Sequence, residues 1–526
     1  MTASSNRIAV AWMLAGLSLL SCAKSNDDLW AKAEGVKPDA EAQEINLAAG
    51  KFYTFDAEPM DQYPDLWPCK PWSKGTKLTD EETGDIRSKT LAVGWKDTDL
   101  VLTLDLGKQR SISKVSLHAI IDNVWKSGIP ASVAVSLSLD GKAFDSAGKL
   151  DWNSGEGSSS AWGELSFDSS PARYVRLNLI RPESPCDNFL LDELQVLGEY
   201  ISDWKYVPKE GAYHGAFNND QTFYDEGIKT GFVTAFEKLV GKKTSMMLWY
   251  KGMRPDRLFD YIHETMGKYT AENRSPDDRR FFIYGWLPDD YKAADLAQGV
   301  LDENWTEYFR QVREYQASDE DYGPVWFRPA NEMNGSWTNY SGDPVNYVRF
   351  WRRMYNIAEQ FGITDYNVFV WAVSDITYNS GSAVKPNAKM KDYYPGDQYV
   401  DWIGASVYYH SRAAVPYPSY LLNELETISA VKPVMIAEGA FRAKQEGCDP
   451  VRWVDEWFSL DKTHPRVKCV IWFNMWGDTD DGRIQKQPAA LELYRQKVQS
   501  PYWLDTIPQT VKSEIAERKA RQNKDN

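Results

Sequence analysis

The sequence predicts two folded parts, an all-β sandwich over residues 46–200 and a (β/α)8 barrel over residues 210–500. Three observations carry this reading. At 526 residues the chain is too long for one ordinary domain. Between 46 and 200, stretches such as VLTLDLG, ISKVSLHAII, ASVAVSLSLDGKAF and ARYVRLNLI alternate apolar and polar residues between turn signals, the period of half-buried strands packed as a sandwich. Between 210 and 500, eight apolar runs (AYHGAF, SMMLWY, RFFIYGWLP, PVWFRPANE, YNVFVWAVS, VDWIGASVYY, PVMIAEGAF, KCVIWFNMW) alternate with amphipathic stretches such as DPVNYVRFWRRMYNIAEQFG. Eight strand–helix units over that length are what a closed parallel barrel requires.

At the N-terminus, Arg7 precedes an apolar run, IAVAWMLAGLSLL, that is too short to span a bilayer as a mature helix. It ends in LLSC and the chain turns polar at once. Residues 1–22 resemble a bacterial lipoprotein signal with Cys22 as the lipidated residue. That implies export and a membrane tether at the outer membrane or cell surface, with the periplasmic side as the alternative. Residues 23–45 read as a polar linker, and residues 501–526, rich in Lys, Arg and Glu, as a solvated charged tail. The formal net charge of -15 argues against nucleic acid as a partner. Cys69, Cys186, Cys448 and Cys469 have no CxxC or Cys/His spacing, so no metal site is expected from them.

In the sandwich, LDLGKQRSISKVSLH, SLDGKAF, ARYVRLNL and DELQVLG resemble the discoidin (coagulation factor 5/8 type C) domain, which implies a jelly roll often used to bind carbohydrate. Trp67, Trp72, Trp95 and Trp125 are either a sugar platform or structural rings. A structural calcium ion in this domain is a further expectation; none is expected to serve catalysis.

Chemistry in such barrels sits at the C-terminal ends of the strands. Counting units puts Asn331 and Glu332, in RPANEMNGSW, at the top of strand 4, and Glu438, in PVMIAEGAF, at the top of strand 7. Two carboxylates facing each other across the mouth, roughly 5–5.5 Å apart, suit a retaining glycosidase. Arg328, four residues before Glu332, is expected on that glutamate's face of the strand, as the cation that keeps a carboxylate ionised. Tyr408, ending strand 6, is the candidate hydroxyl donor to Glu438.

RPANEMNGSW, YPGDQYVDWIG at 394–404 and AEGAF at 437–441 resemble glycoside hydrolase family 26 across the whole barrel region. The resemblance implies Glu332 as acid/base, Glu438 as nucleophile and Tyr408 as the nucleophile's hydrogen-bond partner. It also puts Trp337, Trp472 and Trp286 at sugar subsites. Two departures stand out: Asn331 occupies a place where mannan-cleaving members commonly have His, and WTNY follows the motif where a tryptophan-rich segment is common. His214, at the end of strand 1, is a candidate substrate contact or a structural histidine; His410, Asp375 and Tyr378 are further loop residues near the cleft.

The function expected is therefore a monomeric, tethered, retaining endo-β-glycan hydrolase. β-Mannan is the family's default substrate, and mixed-linkage β-glucan and β-1,3-xylan are alternatives. A surface glycan-binding protein with an inactive barrel is the reading from another class.

Overall fold

The computed structural model describes residues 42–153, 157–218, 232–252, 279–318, 322–375, 389–409, 418–475 and 481–524. Cys22 and its signal, most of the linker, Tyr378 and His410 lie outside these residues.

The first domain is all-β. Its strands are β1 (Gln43–Asn46), β2 (Phe52–Phe55), β3 (Val93–Lys96), β4 (Leu100–Ile120), β5 (Ser132–Ser138), β6 (Asp145–Lys149), β7 (Asp151–Asn153), β8 (Ser160–Ile180) and β9 (Asn188–Tyr200). Their pairings are antiparallel, in the order β1-β9-β4-β8-β5-β6 with β2, β3 and β7 at the sides. The long β4–β8 ladder breaks register between Asp105 and Arg110 and again between Ile112 and Lys114. Breaks of this kind bend a ladder. Leu102, Leu104, Val175 and Leu177 from one half share a buried core with Val115, Leu117, Leu194 and Val196 from the other. Trp95 belongs to that core, stacked on Phe189, so it cannot serve as a sugar platform. β1 starts inside the stretch read as linker. QEIN is polar because it forms a sheet edge and pairs with β9 on one side.

Under the loop before β3, Glu193 of β9 is fully buried, with Oε2 accepting the Glu81 amide and Oε1 without a hydrogen-bond partner among the described residues. Among the described residues no group of three or more His, Cys, Asp or Glu is placed to hold a metal ion. Burial, reinforced by Asp80, pushes the Glu193 carboxyl up to about 9. The folded chain thus keeps a proton that the unfolded chain releases near pH 4.3. Stability should fall as pH rises between those two values. Glu193→Gln should flatten that slope in calorimetric melts between about pH 5 and pH 9. An unchanged slope would mean that Glu193 is already ionised in the fold.

The second domain is a closed parallel barrel of β10 (Ala212–Asn218), β11 (Met246–Gly252), β12 (Phe281–Leu287), β13 (Trp326–Pro329), β14 (Val368–Ser374), β15 (Trp402–Tyr408), β16 (Val434–Ala440) and β17 (Val467–Asn474). β10 pairs with both β11 and β17 and so closes the ring. The strands read as nearly unbroken apolar runs because both faces are covered, by side chains inside and helices outside. Tyr213, Leu248, Ile283, Trp326, Val370, Trp402 and Ile471 fill the interior.

Around it lie α1 (Phe232–Val240), α2 (Ala293–Ala297), α3 (Asp302–Ser318), α4 (Pro344–Gln360), α5 (Pro418–Ile428), α6 (Pro450–Trp457) and α7 (Pro488–Val498). Asp343 and Asp449 cap α4 and α6, each followed by a proline at the first helical position, where its missing N–H costs nothing.

The segment read as a solvated tail is ordered. β18 (Trp503–Leu504) pairs with β10, and α8 (Gln509–Lys524) packs Val511 against the interior core. Arg518 of that helix pairs with Asp203, Asp365 and Glu514. Its polar composition reflects ionic docking rather than solvation.

Candidate active site

Period-two alternation decides which side chains reach the barrel mouth. On β13, Trp326 points inward and Phe327 outward, so Arg328 points inward again. Arg328 is fully buried. Its Nη1 donates to Glu438 Oε2 at 2.8 Å and to the Tyr250 hydroxyl at 2.6 Å, and its Nη2 donates to Ser406 Oγ at 2.7 Å. On β15, Trp402 and Ser406 point inward, which puts the Tyr408 ring inward too. The Tyr408 hydroxyl donates to Glu438 Oε1 at 2.9 Å.

Strict alternation would turn Glu438 away from this cluster, since Ala437 faces the interior core and Ile436 the outer one. The ladders on both sides of β16 slip at this point. Ala405 pairs with Ile436 while Ser406 pairs with Glu438, and the β17 register skips between Ile436 and Gly439. The bulge re-aims the carboxylate into the mouth. Small-residue packing accompanies it: a Cβ on Gly439 would lie 2.5 Å from the Val407 carbonyl oxygen.

Glu332 arrives by another route. β13 ends at Pro329, and Ala330 and Glu332 have φ values of 45° and 62°. The chain therefore leaves the strand before Glu332, and the expectation that Arg328 and Glu332 share one strand face does not hold. Left-handed backbone at two non-glycine residues is strain of the kind kept at functional sites. The surroundings hold it: the Glu332 amide donates to the Ala372 carbonyl at 2.9 Å, and Tyr347 and Tyr340 donate to the carbonyls of Ala330 and Asn331. The Glu332 side chain is half-buried and accepts from the Trp337 indole N–H at 2.7 Å. Trp337 is 48% exposed, an indole face open to solvent beside that carboxylate.

Burial lowers the Arg328 guanidinium to about 10, while the charge of Glu332 acts to raise it. The Tyr408 hydroxyl is pushed well above its usual range, first by burial and then by Glu332, so it stays protonated as a donor. Both groups thus bond Glu438 and lie in the field of Glu332. Burial pushes the Glu438 carboxyl up, to about 8, against the opposing pull of Arg442. The direct contact with Arg328 acts the other way, and a buried cation at hydrogen-bond distance holds the carboxylate ionised.

Ser406 and Tyr250 were missed from the sequence, although counting inward parity along β11 and β15 would have found both. Ser406→Ala would free Nη2 of Arg328 while keeping its pair with Glu438. We expect kcat to fall about tenfold, one charge-assisted hydrogen bond's worth. A wild-type kcat and pH profile would show that Arg328 needs no such hold.

Three expected subsite residues are not at the mouth. Trp286 is fully buried on the outer face of β12, stacked on Trp305 of α3 at 5.1 Å. Trp472 is buried on the outer face of β17 among Trp457, Phe441 and Tyr494. His214 is buried on the outer face of β10, where Nε2 meets the Tyr494 hydroxyl at 2.8 Å and burial lowers its pKa to about 3. All three have the outward parity of their strands. The inward neighbour Phe473 instead lies edge-on to Tyr408 at 5.9 Å and stacked on Phe217 at 4.6 Å, and it is only half-buried. Asp375, the residue after β14, accepts the Tyr408 amide at 2.6 Å.

Residues 288–447, which include both glutamates, match the family model described as Glycosyl hydrolase family 26. This stretch is a domain of that family. Beyond it, the chain is 24% identical over 300 residues to "Endoglucanase H" of Acetivibrio thermocellus, covering 52% of this chain and 31% of that protein. It is 24% identical over 178 residues to "Mannan endo-1,4-beta-mannosidase" of Bacillus subtilis, covering 32% of this chain and 43% of that protein. The chain thus spans less than half the length of either curated relative. A solved Cellulomonas fimi endo-beta-1,4-mannanase double mutant aligns with 56% of this chain and 72% of its own, at 15% identity and a TM-score of 0.41.

Proposed function

We propose that the barrel hydrolyses internal bonds of a β-linked polysaccharide with retention of configuration. The observation that carries this is the hold on Glu438: one oxygen on the Arg328 guanidinium, the other on the Tyr408 hydroxyl, both at the mouth of the barrel. Such a carboxylate is ionised, aimed and short of solvent, as a nucleophile must be. In the first step Glu438 bonds to the anomeric carbon while Glu332 gives its proton to the departing glycosidic oxygen. In the second, Glu332 takes a proton from water, whose oxygen displaces Glu438 and restores both carboxyl groups. This chemistry calls on no cofactor.

The buried Oδ1 of Asn331 has no hydrogen-bond partner among the described residues and would accept from a sugar hydroxyl beside the cleaved bond. Trp337 and Phe473 supply ring faces or edges for the sugars on either side. β-Mannan is the substrate we favour, because the family's default and one named relative agree. Mixed-linkage β-glucan and β-1,3-xylan stay as alternatives because of Asn331. The all-β domain is read as discoidin-like, and the LLSC sequence at Cys22 as a lipid anchor that tethers a monomer to the outer membrane or cell surface.

Purified protein lacking the first 22 residues should release oligosaccharides from one of galactomannan, mixed-linkage β-glucan or β-1,3-xylan. Proton NMR of the fresh products should show the β anomer. Initial α anomer would overturn the double displacement, and no release from any of the three would overturn the hydrolase reading in favour of a binding protein.

A further inference from the structure

A cavity of about 320 Å3 lies where the two domains meet, between the loops of the sandwich that precede β3 and the outer face of α4. Its volume falls within roughly the range of small-molecule clefts, which favour domain interfaces. The lining carries four basic residues (Lys51, Arg349, Arg352, Arg353) and four acidic ones (Asp80, Glu81, Glu82, Asp392), with Trp67 among them. A balanced lining gives no net attraction to an anion or a cation. It offers fixed donors and acceptors side by side, which suits an uncharged ligand rich in hydroxyls.

The parts are held in place. Arg353 donates to the carbonyls of Trp67 and Pro68 at 2.5 and 2.8 Å, pinning the indole-bearing turn, where Trp67 has a φ of 54°. Arg349 reaches both Asp80 and Glu82 through the same nitrogen, Nη2, at 3.1 and 2.9 Å. Its guanidinium carbon sits 5.7 Å from the Trp67 ring centroid. A half-buried indole beside an oriented guanidinium and two carboxylates provides one stacking face and several hydroxyl partners. The lining from α4 runs from Val345 to Arg353, and α4 follows on the loop that carries Glu332. The part of the lining at the start of α4 therefore lies at the catalytic end of the barrel, outside the mouth.

We propose that this interdomain cavity is an auxiliary saccharide site, which takes a short segment of the same uncharged β-glycan that the barrel cleaves. The proposal rests on the hydrolase reading above. The sandwich then contributes to substrate capture through the seam it forms with the barrel rather than through a separate binding face.

The test uses the protein from residue 23 onward with Glu438→Gln, so that polymer is held and not cut. Its retention in gels containing galactomannan, mixed-linkage β-glucan or β-1,3-xylan is compared with that of versions carrying Trp67→Ala or Val345→Trp. The first removes the stacking face. The second places a bulky ring at the cavity from a residue that is 52% exposed and so disturbs no buried contact. Both should weaken retention by about fivefold or more on the glycan that the unmutated chain hydrolyses. Undiminished retention of both folded variants, with hydrolysis by the unmutated chain intact, overturns the cavity proposal alone. Absence of both hydrolysis and retention overturns the two together. Retention that is lost in both variants without any hydrolysis keeps the cavity and sinks the hydrolase.

Discussion

Replacing Glu438 by Gln is expected to abolish polysaccharide turnover, lowering kcat at least about a thousandfold. The carboxamide keeps one oxygen, which can still accept from Arg328, while its NH2 takes the other position and can donate to a turned Tyr408 hydroxyl, so the side chain's volume stays while the carboxylate is gone. Alanine would be a harsher change. It leaves the fully buried Arg328 guanidinium without its carboxylate, at a cost of several kcal/mol in stability. Glu438→Gln should melt below the unmutated protein, because Arg328 loses its countercharge but keeps a hydrogen-bond acceptor, and Glu438→Ala lower still. Added azide, small enough to occupy the vacated space in Glu438→Ala, should attack the anomeric carbon directly and yield a glycosyl azide of the opposite configuration. A Glu438→Gln variant that turns over polymer within about tenfold of the unmutated rate would remove Glu438 from the nucleophile's role.

The second large effect concerns the seam between the domains. Lys51, just ahead of β2, is 2% exposed and pairs with Glu359 of α4, which is 5% exposed. The Lys51 ammonium also donates to Asn356 Oδ1 at 3.0 Å, and Asn356 returns a bond to the Gly50 carbonyl at 2.6 Å. Gly107 lies against the same carboxylate with a φ of 80°, and a Cβ there would come within 1.8 Å of Glu359 Oε2. Glu359→Ala therefore strands an ammonium group in a closed interface and should destabilise the protein by about 3–5 kcal/mol in urea unfolding. Lys51→Met combined with Glu359→Leu should recover most of that loss, because the stranded charge and not the missing attraction carries the penalty. A Glu359→Ala variant within about 0.5 kcal/mol of the unmutated protein would show that water reaches the pair.

Much of this architecture was legible in the chain. The eight apolar runs mark the eight barrel strands, and alternation marks the sandwich. Glu332, Glu438, Arg328 and Tyr408 were named from their places at strand ends, and the structure gathers them at one mouth. Trp286 and Trp472, and the substrate-contact reading of His214 as against the structural one, were misplaced for one reason. In a strand buried on both faces every position is apolar, so hydrophobicity no longer reports which side chains face the axis. Parity counted from an inward anchor such as Trp326 does report it. Even parity fails at Glu438, where a bulge resets the count.

What the sequence determined alone is the order of the elements, the closed parallel barrel and the choice of Glu332 and Glu438 as candidates, because these follow from local period and from residue type near strand ends. Tertiary structure decided which oxygen of Glu438 meets which donor, that Glu332 leaves its strand in left-handed backbone, and that Lys51 and Glu359 close a seam across 308 residues. Those facts depend on register slips and on contacts between distant segments. Neither leaves a trace in the spacing of neighbours along the chain.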